Sequence, residues 1–124
     1  MTLRTPLGRV RGLGASGEGV HHWWWQRLTA LALIPLSLWF VFAVLGRIDA
    51  GHEAVTAWIA TPWVTALLLI YTVSMFYHTQ LGLQVVIEDY IHTESVRLAT
   101  LLLINAMVLL AMTVTLVSIL RVAL

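Results

Sequence analysis

The sequence predicts an all-α integral membrane protein with three transmembrane helices. Hydrophobic residues make up 60% of its 124 residues and charged residues only 10%, and the mean hydropathy is +0.88. This composition lies outside the range of soluble domains. Three stretches contain no Asp, Glu, Lys or Arg, namely 28–46, 62–87 and 98–120. Each can cross about 30 Å of hydrocarbon as a helix rising about 1.5 Å per residue.

The first 20 residues differ from the rest of the chain. They are rich in glycine and arginine and lack the apolar core of a secretory signal peptide. An arginine-rich start also resembles a transit peptide, although its glycines disfavour a stable amphipathic helix. We therefore expect a flexible N-terminal arm over 1–20 and a three-helix membrane domain over 21–124.

Individual residues near the span boundaries support each predicted helix, taken here in chain order. Trp23–Trp25 precede the first span, where indole rings suit the membrane boundary, and Pro35 is expected to loosen or kink that helix. Thr61 and Pro62 are typical of an N-cap and the first position of a helix, which begins the second span there. Residues 52–60 are left as a short segment, helical or irregular, along the outer surface.

Charge distribution predicts the topology of the chain in a bacterial inner membrane. Arginines cluster before the first span, at Arg4, Arg9, Arg11 and Arg27. By the positive-inside rule the N-terminus and the 88–97 loop are expected to be cytoplasmic and the C-terminus periplasmic. The formal net charge of +1 gives no reason to expect a nucleic-acid partner. The absence of cysteine excludes disulfides, iron–sulfur ligation and thioether haem attachment by this chain.

His78 is the most informative residue of the second span. It precedes Glu88 by ten residues, which places it about 15 Å inside the membrane boundary. An imidazole at that depth is costly, so it predicts ligation or proton handling, with a hydrogen bond to a neighbouring helix as the alternative. Ser74 and Gly82 lie one turn away on the same face, and their small size would let a flat macrocycle or another helix approach.

A haem bound by His78 would need its second axial ligand from another chain. The other histidines lie at or beyond the span boundaries, at His21, His22, His52 and His92. Methionines within the spans are less favoured ligands, because a membrane helix commonly uses methionine for packing. A haem shared between two protein chains therefore explains a single intramembrane histidine.

The sequence resembles the small hydrophobic membrane anchors of succinate dehydrogenase, respiratory complex II. The resemblance runs from about residue 19 to the C-terminus. It is carried by GVHHWWWQRLTA before the first span and by HTQLGLQVVIEDY, which contains His-x3-Gly-x6-Asp-Tyr.

The resemblance implies a role for each of these positions. His78 would be an axial ligand of haem b, with the other ligand from the larger cytochrome b anchor of the complex, and Gly82 would pack near the haem. Arg27 and one of two histidines, His21 or His22, would lie near the haem propionates.

The resemblance also implies a quinone site and soluble partners. Tyr90 would donate a hydrogen bond to ubiquinone and Asp89 would organise the pocket. FAD and iron–sulfur clusters would lie only in the flavoprotein and iron–sulfur subunits, so this chain would be part of an enzyme without being catalytic alone. From the residues alone, Tyr90 also suits an aromatic belt, Arg27 a topology signal and Asp89 a helix-end charge.

Three other functions are compatible with the sequence. An anchor of quinol:fumarate reductase would run the same chemistry in reverse. A cofactor-free membrane scaffold and a proton-conducting transporter subunit belong to different classes.

Overall fold

Four α-helices form the described part of the molecule. The computed structural model describes residues 18–124 together with Pro6. In chain order the helices are α1, Glu18–Leu45; α2, His52–Ala60; α3, Pro62–Tyr90; and α4, Glu94–Ala123. Residues 18–124 contain no β-strand. Of the predicted flexible arm, the structure describes only Pro6 and residues 18–20. Residues 18–20 form the start of α1.

The three predicted spans are confirmed. Helices α1, α3 and α4 are each long and apolar enough to cross a membrane. They extend beyond the uncharged stretches 28–46, 62–87 and 98–120 because backbone hydrogen bonds continue into the interface, where charged side chains reach water. The helices therefore carry charged residues such as Glu88, Glu94 and Arg97 in their end turns, and Arg27 in the third turn of α1.

Helix α3 begins where the sequence predicts. Thr61 is the N-cap residue in extended conformation, and Pro62 follows at the start of the helix. The Thr61 hydroxyl donates to the carbonyl of Ala57 at 3.2 Å rather than capping α3. The short 52–60 segment is helical, and Pro35 lies within α1 without ending it.

Helix α3 is the centre of the molecule. It packs against α1 and against α4, whereas α1 and α4 make no contact with each other within the described residues. A layer of three helices buries little of its own surface, so the core is small: the buried hydrophobic side chains are Val64, Leu68, Leu81 and Ile87. The remaining apolar surface must face lipid or a partner chain.

Aromatic residues collect at the end of the bundle where α1 meets α2. The Trp39 ring lies 6.1 Å from that of Trp58 and 6.4 Å from that of Trp63. The Arg47 guanidinium lies 4.3 Å from the centroid of Trp58 and donates to the carbonyl of Ala43 at 2.9 Å. The guanidinium therefore satisfies a backbone carbonyl at the C-terminal end of α1, where helix carbonyls lack partners, and packs on an aromatic ring of α2.

Candidate functional site

His78 forms a hydrogen-bond contact with Thr29 of α1. The imidazole Nδ1 lies 3.0 Å from Thr29 Oγ1, and the two residues are 49 positions apart in the chain. Thr29 is buried, at 8% exposure, and His78 is half-buried. Nε2 of His78 forms no hydrogen bond with a residue of the described chain. One nitrogen is therefore engaged by the neighbouring helix while the other keeps its bonding capacity.

The contact belongs to a polar stripe on α1 that faces α3. His22, Gln26 and Thr29 follow one another at four- and three-residue spacing, which places them on one helix face. Gln26 Nε2 would lie 3.9 Å from a Cβ built on Gly82. The side of Gly82 that lacks a side chain thus faces α1, at ordinary contact distance from the Gln26 amide. The two antiparallel helices meet in register, with Thr29 beside His78 and Gln26 beside Gly82.

His21 and His22 lie in different environments although they are adjacent. His21 is exposed, whereas His22 is half-buried and its Nε2 is a buried atom without a hydrogen-bond partner in the described structure. His22 lines a cavity of about 300 Å³ between α1 and α3, together with Gly19, Gln84, Val85 and Glu88. Of the two histidines, His22 is therefore the one that faces α3.

Arg27 lies on another face of α1. Its guanidinium is 5.3 Å from the centroid of the Trp23 ring, and the residue is exposed. It does not line the cavity beside His22. The structure thus brings His22 and α3 together but leaves Arg27 and His21 outside that contact.

Asp89 and Tyr90 end α3 and project from its surface. Both are exposed, with Tyr90 at 79% exposure. Neither side chain hydrogen-bonds another residue of the described chain, and Tyr90 lies about 18 Å beyond His78 along the helix axis. The phenol is therefore free to donate to a molecule outside this chain.

A second polar row runs along α3 and reaches α4 at one residue. Gln80 Nε2 donates to Asn105 Oδ1 at 3.0 Å and to Gln84 Oε1 at 3.3 Å. Gln84 Nε2 donates to Glu88 Oε1 at 3.0 Å. Asn105 is thus an interhelical hydrogen-bond partner, as its polarity within an apolar span predicts.

The chain supplies one candidate iron ligand rather than a complete site. No group of three or more His, Cys, Asp or Glu side chains able to hold a metal ion occurs among residues that the structure describes. Thr29 is the residue that sequence reasoning did not assign to the site. Its signal was present in QRLTA, where Gln26 and Thr29 are polar residues at helical spacing in an apolar helix.

Comparisons with known proteins agree on one family. The chain matches the family described as succinate dehydrogenase/fumarate reductase transmembrane subunit over residues 1–118. It is 34% identical over 95 residues to a succinate dehydrogenase hydrophobic membrane anchor subunit of Rickettsia bellii, covering 77% of this chain and 76% of the relative.

Other relatives carry the same description. The anchor subunit of Rickettsia typhi is 29% identical over 94% of both chains, and that of Paracoccus denitrificans is 28% identical over 73% of this chain and 70% of its own. No solved structure matches the chain significantly. The resemblance predicted from the sequence is therefore confirmed: the chain belongs to the succinate dehydrogenase/fumarate reductase transmembrane subunit family and is a multi-pass membrane anchor of the inner membrane.

Proposed function

We propose that this anchor supplies one axial ligand of a haem b, from His78, and part of a quinone-reduction site, through Tyr90 and Asp89. The observation that carries the first part is the bonding state of His78. Nδ1 is engaged by Thr29 at 3.0 Å, so Nε2 is the nitrogen available to iron. The second axial ligand would come from the larger cytochrome b anchor of the complex.

The residues around His78 fit a haem. Nε2 of His22 is buried without a partner in the described chain, and an imidazole N–H there would donate to a propionate carboxylate. Arg27 would add a positive charge near the propionates from its exposed position. When bound, a b-type haem carries single electrons. Gly82 leaves room beside Gln26, so that α1 and α3 can approach each other closely.

The end of α3 suits a quinone. Quinone reduction needs hydrogen-bond donors at the carbonyl oxygens and access to protons. The Tyr90 hydroxyl is exposed and unengaged by the described chain, and the Asp89 carboxylate beside it can order donors or water. Electrons from succinate would arrive from flavoprotein and iron–sulfur subunits, and ubiquinone would be the acceptor. The curated relatives named above are succinate dehydrogenase anchors, which favours this direction over fumarate reduction.

The haem content of the purified complex tests this function. We expect about one b-type haem per copy of this chain, with the low-spin spectrum of iron held by two imidazoles. A complex that oxidises succinate and reduces quinone without haem would refute the haem assignment. Within the complex, His22→Ala is expected to lower haem retention and His21→Ala to leave it unchanged. Equal retention in the two variants would remove His22 from the propionate site.

A further inference from the structure

Thr29 joins α1 to the proposed ligand through a hydroxyl that has three close neighbours. Its Oγ1 lies 2.7 Å from the carbonyl oxygen of Trp25, 3.1 Å from that of Gln26 and 3.0 Å from His78 Nδ1. A hydroxyl carries a single hydrogen but can accept through its lone pairs. The two carbonyls can only accept, whereas the imidazole nitrogen can do either.

The short oxygen–oxygen distance decides where the hydroxyl hydrogen lies. Two oxygens 2.7 Å apart require a hydrogen between them, so Thr29 donates to the carbonyl of Trp25. Thr29 Oγ1 can then only accept a hydrogen bond from His78 Nδ1. The hydrogen in that contact must therefore belong to the imidazole. His78 is therefore protonated at Nδ1 and presents the lone pair of Nε2.

The opposite arrangement is unfavourable. If Thr29 donated to Nδ1, the hydroxyl oxygen would face the Trp25 carbonyl oxygen at 2.7 Å without a hydrogen. Nε2 would then carry the imidazole hydrogen and could not bind a metal. Burial of Thr29 at 8% exposure excludes bulk water as an alternative partner for the hydroxyl.

We infer that Thr29 is a positioning residue for His78: it fixes the tautomer, holds the ring plane and makes Nε2 a stronger ligand for iron. This inference rests on the proposed haem ligation by His78. An N–H···O bond from the distal nitrogen of a ligating histidine fixes the ring and makes the imidazole a stronger donor. A stronger donor stabilises ferric iron over ferrous iron, so Thr29 lowers the haem midpoint potential.

The test compares four variants in the complete complex, purified with its partner subunits. Thr29→Val keeps the side-chain shape and removes the acceptor, whereas Thr29→Ser keeps the hydroxyl and removes the methyl group. Thr29→Cys keeps a side chain of similar size with a weak acceptor. Thr72→Val is the matched control, because Thr72 is also buried and also donates to a carbonyl four residues back, that of Leu68 at 2.8 Å, without contacting His78.

The readouts are haem content, electron paramagnetic resonance of the ferric haem, and the haem midpoint potential. Thr29→Val is expected to raise the potential, change the resonance g values and weaken haem retention about 10- to 100-fold. Thr29→Ser and Thr72→Val should resemble the wild type, and Thr29→Cys should lie between the wild type and Thr29→Val. If Thr29→Val fails to assemble, the potential of Thr29→Cys decides: a raised value supports the inference and a wild-type value overturns it.

Two further outcomes separate the positioning role from others. Thr29→Val with wild-type potential and g values, in a complex that contains haem, overturns the inference and leaves the proposed function intact. An equal shift in Thr72→Val or Thr29→Ser assigns the effect to packing and also overturns it. A wild-type complex without haem refutes the proposed function, and the inference with it.

Discussion

Removal of the Tyr90 hydroxyl tests the quinone site with little risk to the fold. Tyr90 is the last residue of α3, is 79% exposed and makes no side-chain hydrogen bond with the described chain. Tyr90→Phe therefore breaks no bond within this subunit and keeps the ring. The whole effect is expected in the reaction with quinone, since one neutral hydrogen bond contributes about 0.5–1.5 kcal/mol.

That free energy converts to a measurable loss of rate. A change of about 0.5–1.5 kcal/mol corresponds to a decrease of about 2- to 13-fold in kcat/KM for quinone. The assay is succinate-driven reduction of a short-chain ubiquinone by the purified complex. Oxidation of succinate by an artificial acceptor that bypasses quinone is expected to stay at the wild-type rate, as is the haem content.

Tyr77→Phe is the matched control for this variant. Tyr77 lies on the same helix, and its hydroxyl also makes no hydrogen bond with the described chain, but it lies 13 positions earlier in the sequence. Its replacement is expected to leave quinone reduction unchanged. Wild-type kcat/KM in Tyr90→Phe, or an equal loss in Tyr77→Phe, would refute the assignment of Tyr90 as the donor.

Two further predictions concern packing and topology. A double-mutant cycle of Gln80→Leu and Asn105→Leu is expected to give a coupling energy of about 0.6 kcal/mol, and no more than about 1.7 kcal/mol. The measured quantity is the free energy of unfolding in a dodecyl sulfate titration. A coupling energy of zero would show that the 3.0 Å contact adds nothing to helix association. Single cysteines introduced at Ser16, Ala50 and Thr93 have no native thiol as background, and a membrane-impermeant reagent added outside intact cells is expected to label only position 50; labelling of position 16 or 93 would reverse the predicted orientation.

Much of the fold could be predicted because hydropathy and length determine it. An uncharged stretch in lipid must satisfy its backbone groups internally, so it becomes a helix whatever its neighbours are. The start of α3 at Pro62 was also predictable, because proline lacks the donor that the first turn leaves unpaired anyway. The ends of the helices were less predictable: α4 begins at Glu94, four residues before the uncharged stretch, since charged end turns are tolerated at the interface.

The site was predictable only in part, because its contacts join distant parts of the chain. The isolation of His78 in an apolar span is visible in the sequence, but its partner Thr29 is 49 residues away, and the register of α1 against α3 brings them together. The difference between His21 and His22 likewise depends on which face of α1 meets α3. Polar spacing within α1 indicates a face but does not identify the helix that covers it.

The haem spectrum of His78→Ala within the complete complex tests the central claim most directly. We expect loss of the six-coordinate low-spin signal, either with the haem or by conversion to a form lacking one imidazole, because the uncharged stretches 28–46, 62–87 and 98–120 contain no other histidine. His52→Ala is the control: an exposed histidine at the start of α2, whose replacement is expected to leave the spectrum unchanged. An unaltered bis-imidazole spectrum in His78→Ala would contradict the assignment of His78 as a haem ligand.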